Sequence, residues 1–347
     1  MKAASRVPLS WPPVNPPSQR KRELGRGERV LPGIWRLRLP LPWPGVPHCN
    51  AWALAAGDGI VLVDTGMHEP GSLAHLERAL QMVNLRIDHV RLLVVTHAHA
   101  DHFGQALPIV ERSGCDLWMN PNLDHARAYA EDPDGAFRRR IEVARQSGVP
   151  SEPLDAYAER RKAQGSGIAG WVEPARDAVE GVTFETDHGE WRIVETPGHA
   201  PSHVCIHLAE RRVLLSGDHL LGRVSLYYDF GYSPDPAGEF LSSLDVVDQL
   251  DVQLILAGHG RPFTDVRAHV RANQKLVADR LDRVERALGG GEPRTAYEII
   301  PEVYDTELTA ATGAWWLAET LCYLTHLQRA GRVQRLEGEP ERWQAAS

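Results

Sequence analysis

The stretch "VVTHAHADHFGQ", residues 94–105, constrains the fold more than any other part of the chain. It places His97, His99, Asp101 and His102 directly after the apolar run "VRLLVVT". A continuous apolar run of that length reads as a strand covered on both faces. The polar cluster therefore emerges at the C-terminal end of a strand. Crowded imidazoles repel when protonated and cost desolvation when buried. A cation offsets both, because it turns mutually repelling donors into ligands. Imidazole and carboxylate without thiolate is a donor set for zinc, and otherwise for iron or manganese. His97 and His99 lie two apart, on one side of extended backbone, so both can reach one cation. Asp101 and His102 come as the chain turns into a helix and can face a second.

Four further strand ends carry polar residues: Asp64 in "VLVDTG", His199 in "TPGHAPSH", Asp218 in "SGDHL" and His259 in "AGHG". Ligand sites of open α/β sheets gather at strand C-termini, so residues remote in sequence can meet at one rim. Asp218 is a carboxylate able to bridge two cations. His203 reads as a structural partner of the site loop, and His219, beside Asp218, is ambiguous. Around these lie "NAWALAAGDGIVLVDTG", two strands joined by the turn "GDG", a helix at 72–83, and strands at 191–196, 203–208 and 212–216. The order of strands, βαβ units, strands and a further βαβ unit predicts two sheets sandwiched between helices.

Three regions differ from this pattern. Residues 1–30 are rich in Pro and Arg, have no apolar periodicity and read as a disordered tail; they lack the apolar segment of a secretory signal. Residues 121–180 are polar, Arg-rich and helical in pattern, and read as a lid over a pocket. Their Arg run 138–140 reads as a solvated helix face, and "GSG" at 165–167 as a loop. Residues 266–347 read as helix, helix, helix and a short strand, the outline of a winged-helix module. Two adjacent tryptophans, Trp315 and Trp316, cannot both face the core of one helix. Hence the tail is expected to dock on the sandwich or on a second subunit, as a homo-oligomer.

Read together, "VLVDTG", "THAHADH", "TPGHAPSH", "SGDHL" and "AGHG" resemble the motifs of the metallo-β-lactamase-fold superfamily. The resemblance spans about residues 33–265, and the tail resembles that of the lactamase-B-like proteins. It implies a four-layer αββα sandwich over 31–265, followed by a small helical, winged-helix-like domain over 266–347. It also implies a site with two divalent metal ions. His97, His99 and His199 would hold the first metal, Asp101, His102 and His259 the second, and Asp218 would bridge them. Asp101 and Asp64 are the candidate catalytic carboxylates, with Asp64 orienting the ligand loop and Asp101 or Asp218 shuttling a proton. Asp218 stands where zinc β-lactamases of the commonest type carry Cys, which argues against penicillin hydrolysis. Leu221 follows where family lactonases often carry Tyr, and the nearest tyrosines are Tyr227 and Tyr228.

The expected activity is that of a dinuclear hydrolase, with hydroxide generated at the metals attacking a small ester, thioester or lactone. The alternative is an endoribonuclease or phosphodiesterase, suggested by the tail. A non-catalytic interaction module is a third reading, opposed by the complete ligand set. Charge decides between the first two. The chain carries a formal net charge of −8. Residues 291–347 hold five Arg and no Lys against nine acidic residues, and 314–328 holds no Lys or Arg. A nucleic-acid reader needs a basic face, so a small-molecule substrate is expected. No membrane span is expected. The cysteines Cys49, Cys115, Cys205 and Cys322 are far apart and read as reduced core thiols of a cytoplasmic protein.

Overall fold

The computed structural model describes residues 24–43, 45–162, 165–223, 225–305 and 313–346, without the side chains of 160–162. Residues 1–23, most of the expected tail, lie outside this set. The chain opens with a meander of β1 (Arg26–Leu31), β2 (Ile34–Trp43), β3 (Val46–Ala56) and β4 (Gly59–Val63). There follow α1 (Ser72–Gln81), β5 (Val90–Val94), the single-turn α2 (Ala100–Phe103), α3 (Ala106–Ser113) and β6 (Asp116–Met119). Three helices come next, α4 (Asp124–Glu131), α5 (Pro133–Gln146) and α6 (Ser151–Lys162), and then β7 (Arg176–Asp177). The second half holds β8 (Thr183–Thr186), β9 (Gly189–Glu195), β10 (Val204–Leu208), β11 (Val213–Gly217), α7 (Pro236–Asp248) and β12 (Leu254–Ala257). It ends with α8 (Val266–Leu288), α9 (Ala296–Tyr304), α10 (Gly313–Arg329), β13 (Val333–Leu336) and β14 (Arg342–Ala345).

The first seven strands form one sheet in chain order, and β12-β11-β10-β9-β8 form a second. β4 through β7 run parallel, as do β11 and β12, and the remaining pairs are antiparallel. The alternation of side chains along each strand then fixes the layers. Trp52, Leu54, Val61 and Val63 face the second sheet, where they meet Trp191, Ile206, Leu215 and Leu256. Their neighbours Ala51, Ala53, Ile60 and Leu62 face outward onto Leu76, Leu80, Phe103 and Ile109 of α1, α2 and α3. In the second sheet Cys205, Leu214 and Ile255 turn away from the sandwich. They pack with Phe240 and Leu244 of α7 in a core that continues through α8, α9 and α10. The result is the expected order of helix, sheet, sheet, helix, with a helical C-terminal region.

Three differences from the sequence reading have local causes. β1 belongs to the first sheet, so ordered structure begins before residue 30. The strand was hidden because glycines face the helix. A Cβ on Gly25 would sit 1.9 Å from the His75 carbonyl oxygen, and one on Gly27 2.0 Å from that of Ala79. Close backbone approach to α1 has replaced the apolar alternation that marks a strand. β7 lies in a stretch with no strand pattern, since its two residues are exposed and polar. The short strand expected near Val333 pairs with a second, β14, through a hairpin.

Candidate metal centre

Every polar residue singled out at a strand end lies at one rim of the sandwich. Asp64 follows β4, the 97–102 cluster follows β5, His199 follows β9, Asp218 follows β11 and His259 follows β12. Asp64 is held at φ 63°, a region that a residue with a side chain occupies only when its surroundings over-determine it. Its amide donates to the Val94 carbonyl, and both carboxylate oxygens are engaged. Oδ1 accepts from the Thr96 amide at 2.8 Å, and Oδ2 from the Thr96 hydroxyl at 2.9 Å and His102 Nδ1 at 2.8 Å. Asp64 is 1% exposed, and its side chain contacts the loop and the ring that carry the 97–102 cluster.

The five imidazoles obey one rule: one ring nitrogen is tied to an acceptor, and the other faces the cluster. His99 Nε2 donates to Asp229 Oδ2 at 2.8 Å, His199 Nδ1 to the Tyr227 carbonyl at 3.1 Å and His259 Nδ1 to the His48 carbonyl at 2.9 Å. His102 Nδ1 donates to Asp64. The Thr96 hydroxyl hydrogen is committed to Asp64, so its oxygen accepts from His97 Nδ1 at 3.0 Å. These partners fix the tautomers. With the rings neutral, as metal ligation requires, five lone pairs converge: Nε2 of His97, His102, His199 and His259, and Nδ1 of His99. Two of these, His99 Nδ1 and His199 Nε2, face each other at 3.0 Å.

Asp218 stands among them. Its Oδ2 is 3.1 Å from His259 Nε2 and 3.8 Å from His199 Nε2, while Oδ1 is 3.5 Å from His102 Nε2. Asp101 Oδ2 is 3.2 Å from His259 Nε2. Burial works against the charge on Asp218, but His259 and His102 outweigh it and hold the carboxyl well below its ordinary range. Burial, then the neighbouring imidazoles, drive His97 well below its own, so that it is neutral and a donor of electrons. His97, His99 and His199 bring ligand atoms within 4.8 Å of one another, as do His97, His102 and Asp218, and Asp101, His102 and His259.

These residues fit metal ions. His97 Nε2, His102 Nε2 and Asp218 Oδ1 are buried with no hydrogen-bond partner among the described residues, a costly state that coordination relieves. Gly258 makes room for the arrangement, since a Cβ there would lie 2.2 Å from Asp218 Oδ1. Cys49 lies near Asp101, but burial and that carboxylate raise its pKa well above the ordinary value, so it offers no thiolate. The four cysteines are all free and buried. His203 is a supporting residue: its Nε2 accepts from the Asp218 amide at 3.1 Å, and its Nδ1 donates to Thr196 at 2.8 Å. His219 packs against Phe240, with ring centroids 5.0 Å apart, and belongs to none of the donor groups.

Sequence reasoning missed the segment 226–229, which joins the site to the C-terminal helices. Tyr227 and Asp229 face the imidazoles. The Tyr227 ring lies 5.6 Å from that of His99 and 5.7 Å from that of His199, and its hydroxyl donates to Asp229 Oδ1 at 3.3 Å. Leu226 and Tyr228 face the other way. Trp315 Nε1 donates to the Leu226 carbonyl at 2.6 Å, and the Tyr228 ring meets Tyr323 at 5.8 Å. Trp316 stacks on Tyr304 at 5.3 Å. Both tryptophans thus have partners in their own chain, and neither requires a second subunit. Of the 121–180 insertion, His125 on α4 approaches Asp229 to 3.9 Å, while the end of α5 is tied to the C-terminal region through backbone hydrogen bonds from the Tyr297 amide to the Ser147 carbonyl and from the Glu341 amide to the Gln146 carbonyl.

Comparison with known proteins agrees with this geometry. Residues 44–259 match the metallo-beta-lactamase superfamily. The probable metallo-hydrolase YqjP of Bacillus subtilis is 26% identical over 302 residues, spanning 82% of this chain and 87% of the relative. The hydroxyacylglutathione hydrolase GloC of Haemophilus influenzae is 26% identical over 213 residues, 60% of this chain and 85% of the relative. A metallo-beta-lactamase family protein from Thermus thermophilus has a similar structure, with TM-score 0.78 and 26% identity, covering 91% of this chain and 100% of that one. Because the matched span takes in Asp64, both imidazole sets, Asp218 and Asp229 and ends on His259, the chain belongs to the metallo-beta-lactamase superfamily and is one of its metal-dependent hydrolases.

Proposed function

We propose that the protein is a dinuclear hydrolase of small esters, thioesters or lactones. His97, His99 and His199 would hold one cation, Asp101, His102 and His259 the other, with Asp218 between them. The carrying observation is the set of five imidazoles, each with one nitrogen tied down and the other aimed inward beside Asp101 and Asp218. Zinc is the favoured metal, with iron and manganese as alternatives for the same donors. When bound, such cations lower the pKa of water toward ~7 and polarise a carbonyl oxygen.

The chain's own residues supply the rest. Asp64, Asp229 and the Tyr227 and His48 carbonyls hold the imidazoles in the orientation the donors need. Asp101 or Asp218 accepts the proton released as water attacks, being held ionised by the imidazoles around it. A thiolate leaves without protonation, and an alkoxide takes the proton back from the same carboxylate. A thioester is also consistent with GloC, whose name gives an acylated glutathione as its substrate. The nuclease reading is weaker, because the C-terminal region is acidic and the helix carrying Trp315 has no Lys or Arg between 314 and 328.

No described helix is long and apolar enough to cross a membrane. The test is metal analysis joined to a hydrolysis screen over thioesters, lactones, phosphodiesters and single-stranded RNA. Two metal ions per chain and chelator-sensitive acyl hydrolysis are expected. Cleavage confined to RNA, with salt-sensitive binding lost on deleting 290–347, would replace this reading with the nuclease.

A further inference from the structure

One side of the metal cluster is bounded by aromatic rings. The Tyr227 ring meets the imidazoles of His99 and His199 at steep angles, 73° and 60°, with centroids 5.6 Å and 5.7 Å away. Trp315 of α10 meets the Tyr227 ring in turn, at 5.2 Å and 78°. Both aromatic residues are half-buried, so part of each ring is open to solvent. The contrast with the next residue is informative. Tyr228 turns into the core and is fully buried, as a purely structural tyrosine would be.

The polar atoms of the two side chains are already committed. The Tyr227 hydroxyl donates to Asp229 Oδ1 at 3.3 Å, and Trp315 Nε1 donates to the Leu226 carbonyl at 2.6 Å. What the pair can offer a substrate is therefore ring surface. The same two bonds hold the rings in place, so little side-chain freedom is lost when something binds against them. A molecule whose scissile carbonyl lies at His99 and His199 carries its neighbouring atoms about one ring's width from Tyr227. An aromatic group there gains edge-to-face or offset-stacked contact in addition to burial of its area.

We propose that Tyr227 and Trp315 determine substrate specificity by binding an aromatic ring carried next to the scissile carbonyl, on its acyl or its leaving half. The inference rests on the hydrolase reading above and gives the C-terminal helix α10 a share in the substrate site. The reaction is unchanged, and no new covalent step is involved.

The kinetic test uses the zinc-loaded protein and two pairs of thioesters. Phenylacetyl and acetyl thioesters of ethanethiol vary the acyl half. Acetyl thioesters of phenylmethanethiol and ethanethiol vary the leaving half. The readout is the ratio of kcat/KM, ring-bearing over ring-free, within each pair. Intrinsic reactivity and any general loss of activity cancel when that ratio is compared between proteins. Tyr227→Leu should lower the ratio of one pair about 10–100-fold, and the pair affected identifies the half that the rings bind. Tyr227→Phe keeps the ring and loses only the bond to Asp229, so its ratio should stay within about threefold of the wild type. Trp315→Leu should lower the same ratio about threefold or more. Unchanged ratios in both pairs for Tyr227→Leu overturn the proposal. So does an equal fall in Tyr227→Phe, because the hydroxyl would then be responsible and not the ring. A binding test runs separately from turnover. Phenylacetate and acetate are titrated calorimetrically into zinc-loaded wild type, Tyr227→Leu and Trp315→Leu. The wild type should bind phenylacetate about tenfold more tightly than acetate or better, and both variants should lose most of that difference. Equal affinities in the wild type, or a difference that survives both substitutions, refute the proposal. Failure to hydrolyse any of the thioesters would count against the hydrolase reading, while the titrations still decide the role of the two rings.

Discussion

Asp218 and His203 are hydrogen-bonded neighbours with different duties. Asp218 is placed between the two imidazole sets, whereas His203 only holds the Asp218 amide. Removing an outer partner of this kind typically costs 10–100-fold in metal affinity or activity. Asp218→Ala is expected to cost at least tenfold more activity than His203→Ala and to lower the bound metal. Equal metal losses in the two variants would show that the roles are misassigned. The residues of the 97–102 cluster were legible because their spacing alone brings them together. His199, Asp218 and His259 were legible because each ends an apolar strand. Asp229 was not, since it meets His99 across 130 positions and no local pattern marks a carboxylate for that task.

Among the elements, α10 is the least ordinary. It buries Glu319, which is 4% exposed and accepts from the Tyr323 hydroxyl at 2.7 Å. Burial pushes its carboxyl from the ordinary 4.5 up to about 7, against the hydrogen bond from Tyr323 that pulls it down. The folded state therefore binds this proton more tightly than the unfolded chain. The resulting stability is complete below pH 4.5 and is lost as pH rises through about 7. The loss amounts to roughly 3 kcal/mol. Glu319→Gln keeps an acceptor for Tyr323 and removes the charge. Denaturant melts at pH 5 and pH 8 should show a smaller pH dependence in the variant and a gain over wild type at pH 8. An identical pH dependence would exclude Glu319 as the source. The sheets themselves were legible from alternation, but β1 was not, because Gly27, and Gly25 just before the strand, trade side-chain pattern for contact with α1. α10 was seen as a helix, yet its bond to the Leu226 carbonyl depends on a loop whose path the sequence does not state.

At the scale of the molecule, the site is a product of the two sheets together. Each of the three donor groups mixes residues that follow β5 with residues that follow β9, β11 or β12. No donor group is complete on one sheet. Every cation held there would tie one sheet to the other, as a non-covalent cross-link at the open rim of the sandwich. Parting the sheets would then require releasing the metal first, so occupancy should lengthen the lifetime of the native state as well as enable turnover. Stopped-flow unfolding in a fixed denaturant concentration measures this. Chelation is expected to speed unfolding at least tenfold, by removing a contact that the separating sheets must break. Equal unfolding rates with and without chelator would mean that the sheets part elsewhere, and that the metals serve chemistry alone.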